Sequence, residues 1–129
     1  MKILVIEDDL ISRAMMVGMF TKHICNVATN GQTGLEMFVA AHENKEPYDL
    51  ACIDIMMPVM DGQKVLRLLR EHEEKIGIEG KDRCKIIMAT ALDDGDNVCK
   101  AFAEMCDGYL VKPISRTKLA AEIARVFGK

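Results

Sequence analysis

Residues 3–9 read Ile3-Leu4-Val5-Ile6-Glu7-Asp8-Asp9, four apolar side chains in a row followed by three acids. A short apolar run with no polar alternation predicts a β-strand buried on both faces, as in a parallel sheet. The acids then stand at the strand's carboxyl end. Three more runs have the same form: Leu50 to Ile53, Ile86 to Ala89 and Tyr109 to Val111. Ile24 to Thr29 is more mixed and predicts an edge strand.

Helical spacing fills the intervals. Val98, Ala101, Phe102 and Met105 fall at i, i+3, i+4 and i+7, and Leu119, Ile123, Val126 and Phe127 form a similar stripe. Val65, Leu66 and Leu69 follow Asp61-Gly62, Leu35 and Phe38 follow Gly31, and Leu10 to Phe20 is apolar enough to predict a largely buried helix. Strand then helix, five times, selects an α/β fold with a parallel sheet and helices on both faces, because each crossover packs back right-handed. Glu73 to Lys85, with Gly77, Gly80 and several charges, predicts one longer surface connection.

The 129 residues form one domain, 1–129, large enough to need neither disulfide nor metal to hold a core. A net charge of −3 argues against direct binding of nucleic acid, since such domains carry a basic patch. The first apolar run is too short for a signal-peptide core and no stretch reaches bilayer-spanning length, so no membrane insertion and a cytoplasmic location are expected. Cys25, Cys52, Cys84, Cys99 and Cys106 are scattered without metal-ligand spacing and read as small apolar residues in a reducing compartment.

In open α/β sheets ligands bind at the carboxyl ends of the strands. Those ends here carry Glu7-Asp8-Asp9, Asp54, Thr90 and Lys112. Each alone has a capping or solvated reading; together, on one rim, they point to a site. Two carboxylates about 5 Å apart at an effective dielectric of about 20 repel by roughly 3 kcal/mol, so Glu7, Asp8 and Asp54 call for solvent, a proton or a cation between them. A hard divalent ion, Mg²⁺ above all, suits carboxylates from two strands. With Lys112 and Thr90 beside it, such a pocket suits a phosphoryl group, and Asp54 is the candidate nucleophile.

These pieces, with Asp54-Ile55-Met56-Met57-Pro58-Val59-Met60-Asp61-Gly62, Ile87-Met88-Ala89-Thr90-Ala91 and Tyr109-Leu110-Val111-Lys112-Pro113, make the sequence resemble the receiver domain of two-component response regulators from Lys2 to about Phe127. The resemblance implies a flavodoxin-like (βα)5 fold with strand order 2-1-3-4-5. It implies Asp54 as phosphoacceptor, and Mg²⁺ held by Asp8, Asp54 and the Met56 backbone carbonyl, with Glu7 acting through water. Asp9 would be an additional acid at the helix start. Lys112 would bind a phosphoryl oxygen through a cis Lys112-Pro113 bond, and Thr90 would move toward another, drawing Tyr109 inward as a switch. The responding surface would be the fourth helix, fifth strand and fifth helix, open to a downstream protein or to receiver dimerisation.

Met56 and Leu92 are apolar at positions where some receivers carry water-orienting side chains, so a long-lived acyl phosphate is expected. The donor would be an external phosphohistidine, on a sensor histidine kinase or a histidine phosphotransfer protein, because His23, His42 and His72 form no kinase motif. No turnover is expected beyond the domain's own phosphorylation and slow dephosphorylation. A haloacid-dehalogenase-type phosphatase would need an acid where Met56 stands. A flavodoxin-like FMN binder would need a phosphate-cradling loop where Glu7-Asp8-Asp9 stand. A degenerate receiver acting as scaffold would lack some of the five polar residues present. With no output residues after the C-terminal helix, the expected output is a separate partner.

Overall fold

The computed structural model describes residues 1–55, 57, 60–90 and 105–128. In chain order the elements are β1 (Lys2–Ile6), α1 (Leu10–Met19), β2 (Ile24–Ala28), α2 (Gly31–Glu43), β3 (Leu50–Asp54), α3 (Gly62–Lys75), a 3-10 turn (Gly80–Asp82), β4 (Lys85–Thr90), β5 (Gly108–Val111) and a C-terminal helix (Arg116–Val126). The five strands form one sheet in the order β2-β1-β3-β4-β5, every pairing parallel. This is the doubly wound order that the resemblance implied, and β2 is the edge strand expected of its mixed composition. The stripe from Val98 to Phe102 and Cys99 lie outside the described residues.

Alternation along each strand divides the apolar runs between two layers. Leu4 and Ile6 face a core with Phe38, Ile53, Leu66 and Leu69, beneath α2 and α3. Ile3 and Val5 face the opposite core with Met16, Phe20, Cys52 and Leu119, beneath α1 and the C-terminal helix. Each helix starts on a side-chain cap: Asp9 accepts from Ser12 N, Asn30 from Thr33 N, Asp61 from Lys64 N and Ser115 from Lys118 N. Cys52, Cys84 and Cys106 are buried, and burial pushes the Cys52 thiol up to about 12, as expected of small apolar residues. Among the described residues no helix is long and apolar enough to cross a membrane.

Two expectations are corrected. α1 buries only Met16 along its length, while Leu10 and Ile11 are 68% and 71% exposed and Met15 is also exposed. A helix lying on one sheet face can bury a single stripe, here Met16 and then Phe20 four residues on, and its remaining apolar residues must face outward. The connection before β4 also starts later than expected. α3 continues to Lys75, and Glu73 is fully buried rather than at the surface.

Glu73 is buried because Arg70 accompanies it. The Arg70 guanidinium donates to Glu73 Oε1 at 2.7 Å, to the carbonyls of Cys84 and Met105 at 2.7 and 2.6 Å, and to Asp107 Oδ2 at 2.9 Å. Glu73 Oε2 accepts from Cys84 N, and Asp107 Oδ2 accepts from Ile86 N. Both carboxylates and the cation are thus hydrogen-bonded, the condition under which buried charges are tolerated.

A second cluster joins α2 to α3. His42 and His72 lie with ring centroids 5.2 Å apart, and Phe38 packs edge-on against both. Burial and the neighbouring His72 hold the His42 imidazole below its ordinary pKa, against the pull of Glu73. The unfolded chain therefore binds that proton more readily, so the folded state keeps its full stability above about pH 6.5 and loses it as pH falls below that value. Compared with its parent, His42→Phe is expected to show a smaller drop in urea midpoint between about pH 7.5 and about pH 5.5. Equal drops would exclude His42 as the source.

Candidate functional site

Parallel strands place their carboxyl ends on one edge, and four of them deliver polar groups there. β1 ends at Ile6, and the N–H of Glu7, the next residue, bonds Ala28 O of β2 at 3.0 Å. Asp8 follows, exposed to solvent, before Asp9 caps α1. β3 ends on Asp54, which is 3% exposed, and β4 ends on buried Thr90. Past β5, Lys112 N–H bonds Thr90 O at 2.7 Å, and the Lys112–Pro113 peptide is cis.

The side chains converge. One carboxylate oxygen from each of Glu7, Asp8 and Asp54 lies within 4.8 Å of the others. Lys112 Nζ stands 2.7 Å from Glu7 Oε1 and 3.4 Å from Asp54 Oδ1. Burial pushes the Glu7 carboxyl up to about 7, and Asp54 pushes the same way, while Lys112 opposes both. Burial works against the Lys112 ammonium, but its bond to Glu7 and the charges of Glu7 and Asp54 outweigh this and hold its pKa above the ordinary value. Glu7 Oε2 is buried with no hydrogen-bond partner among the described residues. With all three acids ionised, one ammonium leaves two negative charges uncompensated, which is the deficit a divalent cation fills. The donors are all oxygens, the preference of a hard ion such as Mg²⁺.

The structure thus brings Glu7, Asp8, Asp54, Thr90 and Lys112 to one rim. Asp9 is held apart by its cap: the Ser12 N–H bond, at 2.8 Å, keeps its carboxyl below the usual range. Tyr109 lies half-buried in β5 against the α2/α3 core. Met56 and Leu92 lie outside the described residues.

Two contributors escaped sequence reading. Arg13, one turn into α1, donates from Nη1 to the carbonyls of Glu7 at 3.2 Å and Asp8 at 3.4 Å, bracing the acidic loop. Its place four residues after the cap was the available signal, since one helical turn returns a side chain to the loop. Gly62 lies directly against the backbone at the carboxyl end of β3: a Cβ there would sit 2.3 Å from Asp54 O and 2.7 Å from Ile55 Cα. Its N–H also bonds Ile55 O at 3.0 Å.

A family model described as the response regulator receiver domain matches residues 3–124. Hybrid signal transduction histidine kinase G of Dictyostelium discoideum is 35% identical over 129 residues, covering 97% of this chain and 4% of that protein. The first three curated relatives matched are much longer, and the chain spans 4%, 10% and 12% of their lengths. The solved receiver domain of Francisella response regulator 1452 is 27% identical with a TM-score of 0.75, over 98% of this chain and 96% of its own. The CheX-CheY-BeF3-Mg+2 complex from Borrelia burgdorferi shares the fold at a TM-score of 0.80 and 24% identity, over 99% of this chain and 90% of that one.

Proposed function

The chain belongs to the response regulator receiver domain family, and from that premise we propose that Asp54 accepts a phosphoryl group from a phosphohistidine and that the acyl phosphate switches a protein-binding surface. The single observation that carries this reading is the convergence of Glu7, Asp8 and Asp54 with Lys112 Nζ at the carboxyl edge of the sheet. An Asp54 carboxylate oxygen forms the new P–O bond while the P–N bond of the donor breaks, its electron pair returning to the imidazole, which takes up a proton. Lys112 offsets charge on one phosphoryl oxygen and the Thr90 hydroxyl donates to another. Mg²⁺, held by Asp8, Asp54 and the Met56 carbonyl with Glu7 acting through water, would supply electrostatic stabilisation of the remaining phosphoryl charge. The receiver domain family is not one of conventional turnover enzymes.

In this reading Thr90 moves toward the phosphoryl group and Tyr109 turns inward after it, altering the surface formed by the segment after Thr90, by β5 and by the C-terminal helix. A downstream protein or a second receiver binds there. Apolar Met56 and Leu92 shield the acyl phosphate from water and lengthen its life. A sensor kinase or phosphotransfer protein acting in the cytoplasm is the donor. Incubation with Mg²⁺ and acetyl phosphate should add one phosphoryl group, mapped to the peptide containing Asp54; absence of that adduct would overturn the reading.

The carrier of the phosphohistidine must cover the rim from which α1 starts, and α1 offers it exposed Leu10, Ile11 and Met15. Ile11→Glu should therefore slow labelling by a phosphorylated histidine phosphotransfer protein by about tenfold, the scale of one lost interface anchor, yet leave labelling by acetyl phosphate unchanged. Equal loss with both donors would place the defect in the site itself.

A further inference from the structure

The Arg70 cluster lies at the opposite end of the sheet from Asp54, yet it grips the segment that leads into β5. β5 is four residues long and, among the described residues, pairs only with β4, from Ile87↔Gly108 to Thr90↔Val111. Lys112 follows immediately, so its ammonium reaches Glu7 and Asp54 only if this short edge strand is correctly placed along its axis. At about 3.3 Å per residue, a shift of even a third of a residue would displace Nζ by about 1 Å.

Arg70 fixes that placement from α3. Its Nε holds the Met105 carbonyl, and its Nη2 holds the Asp107 carboxylate, which also accepts from Ile86 N of β4. Asp107 N–H in turn bonds Ile86 O at 2.8 Å. The other end of α3 is Gly62, pressed against the Asp54 backbone. The eight residue steps from Gly62 to Arg70 rise about 12 Å along one helix. Thus α3 connects the backbone of the phosphoacceptor directly to the strand that carries the phosphate-binding cation.

We infer that Arg70 is a positioning residue for phosphoryl transfer: by clamping Met105 and Asp107 to α3 it sets where β5 presents Lys112 to Asp54. This rests on the phosphoacceptor reading above. The clamp needs the guanidinium fork, because four acceptors are met from one planar head and lysine offers a single point charge. The acids proposed to bind the metal stand just after β1 and at the end of β3, outside its reach, so Arg70 governs the Lys112-dependent part of the reaction and leaves cation binding alone.

The test uses Arg70→Lys and the milder Asp107→Asn, each in the parent and in a Lys112→Ala background. Two quantities are read: Mg²⁺ affinity by calorimetry and the rate of labelling by acetyl phosphate. Both variants should slow labelling by roughly tenfold to a hundredfold, the range for an ångström-scale misplacement, with Mg²⁺ affinity unchanged. In the Lys112→Ala background neither should slow it further, because the group they position is gone. Parent-like labelling rates, a parallel loss of Mg²⁺ affinity, or the full slowing retained without Lys112 would each overturn the inference. Failure of the parent itself to label at Asp54 would instead overturn the reading on which it rests.

Discussion

Asp54→Ala is expected to abolish phosphoryl labelling while leaving the domain folded. Asp54 is buried, has an ammonium 3.4 Å away and shares its pocket with Glu7, whose pKa it helps to raise. Removing it eliminates the proposed nucleophile and, at the same time, a like charge crowded against a buried carboxylate. Without divalent cation the variant should be at least as stable as its parent at neutral pH, because the remaining Glu7 then has Lys112 to itself. The Glu7 pKa should fall below about 7, and Mg²⁺ affinity should drop with the loss of one ligand oxygen. Intact-protein mass after exposure to acetyl phosphate, with urea titrations in the presence of a chelator, checks both halves. A phosphoryl adduct persisting in the variant would mean that another residue accepts the group.

Gly62→Ala should cause the largest structural loss. The methyl group would enter space held by Asp54 O, Ile55 Cα and Asp54 C at 2.3, 2.7 and 2.9 Å, all backbone atoms that no rotamer change can clear. Overpacking of this kind costs about 3 kcal/mol when rigid neighbours must move, a large part of the roughly 5–15 kcal/mol of a typical domain. What moves is the backbone of Asp54, the proposed phosphoacceptor, so labelling should fall more steeply than the folded fraction. Gly18→Ala is the control, since its Cβ meets nothing within 4 Å inside α1. It should stabilise by about 0.5–1 kcal/mol through helix propensity. Urea midpoints of the two variants, measured with labelling rates, test the contrast.

Much of this site was legible in sequence because each member ends an apolar run. Glu7 and Lys112 lie 105 positions apart, yet both occupy the first polar place after a buried strand, and parallel topology brings such places together. The same logic could not find Arg70, Glu73 and Asp107. They stand among other charged residues in a helix tail and in a strand approach, where polarity is the ordinary surface signal, and Arg70 and Asp107 are 37 residues apart. Likewise, the apolar composition of α1 records that Leu10, Ile11 and Met15 are hydrophobic, while only the sheet decides which stripe it covers. Gly62 was visible as part of an Asp-Gly turn, but its contact with β3 depends on the path of the chain between them.

The 105-residue span between Lys112 and Glu7 has a consequence for the newly made polypeptide. Contacts so distant in sequence close late, after the local helices and the first strand pairings have formed. A chain emerging from the ribosome would have Glu7, Asp8 and Asp54 available early, but the Lys112 ammonium only when β5 has been synthesised and docked beside β4. The complete cluster is therefore tied to completion of the sheet: a truncated or half-folded product holds the acids without the lysine and, under the proposed function, could not respond as the finished domain does.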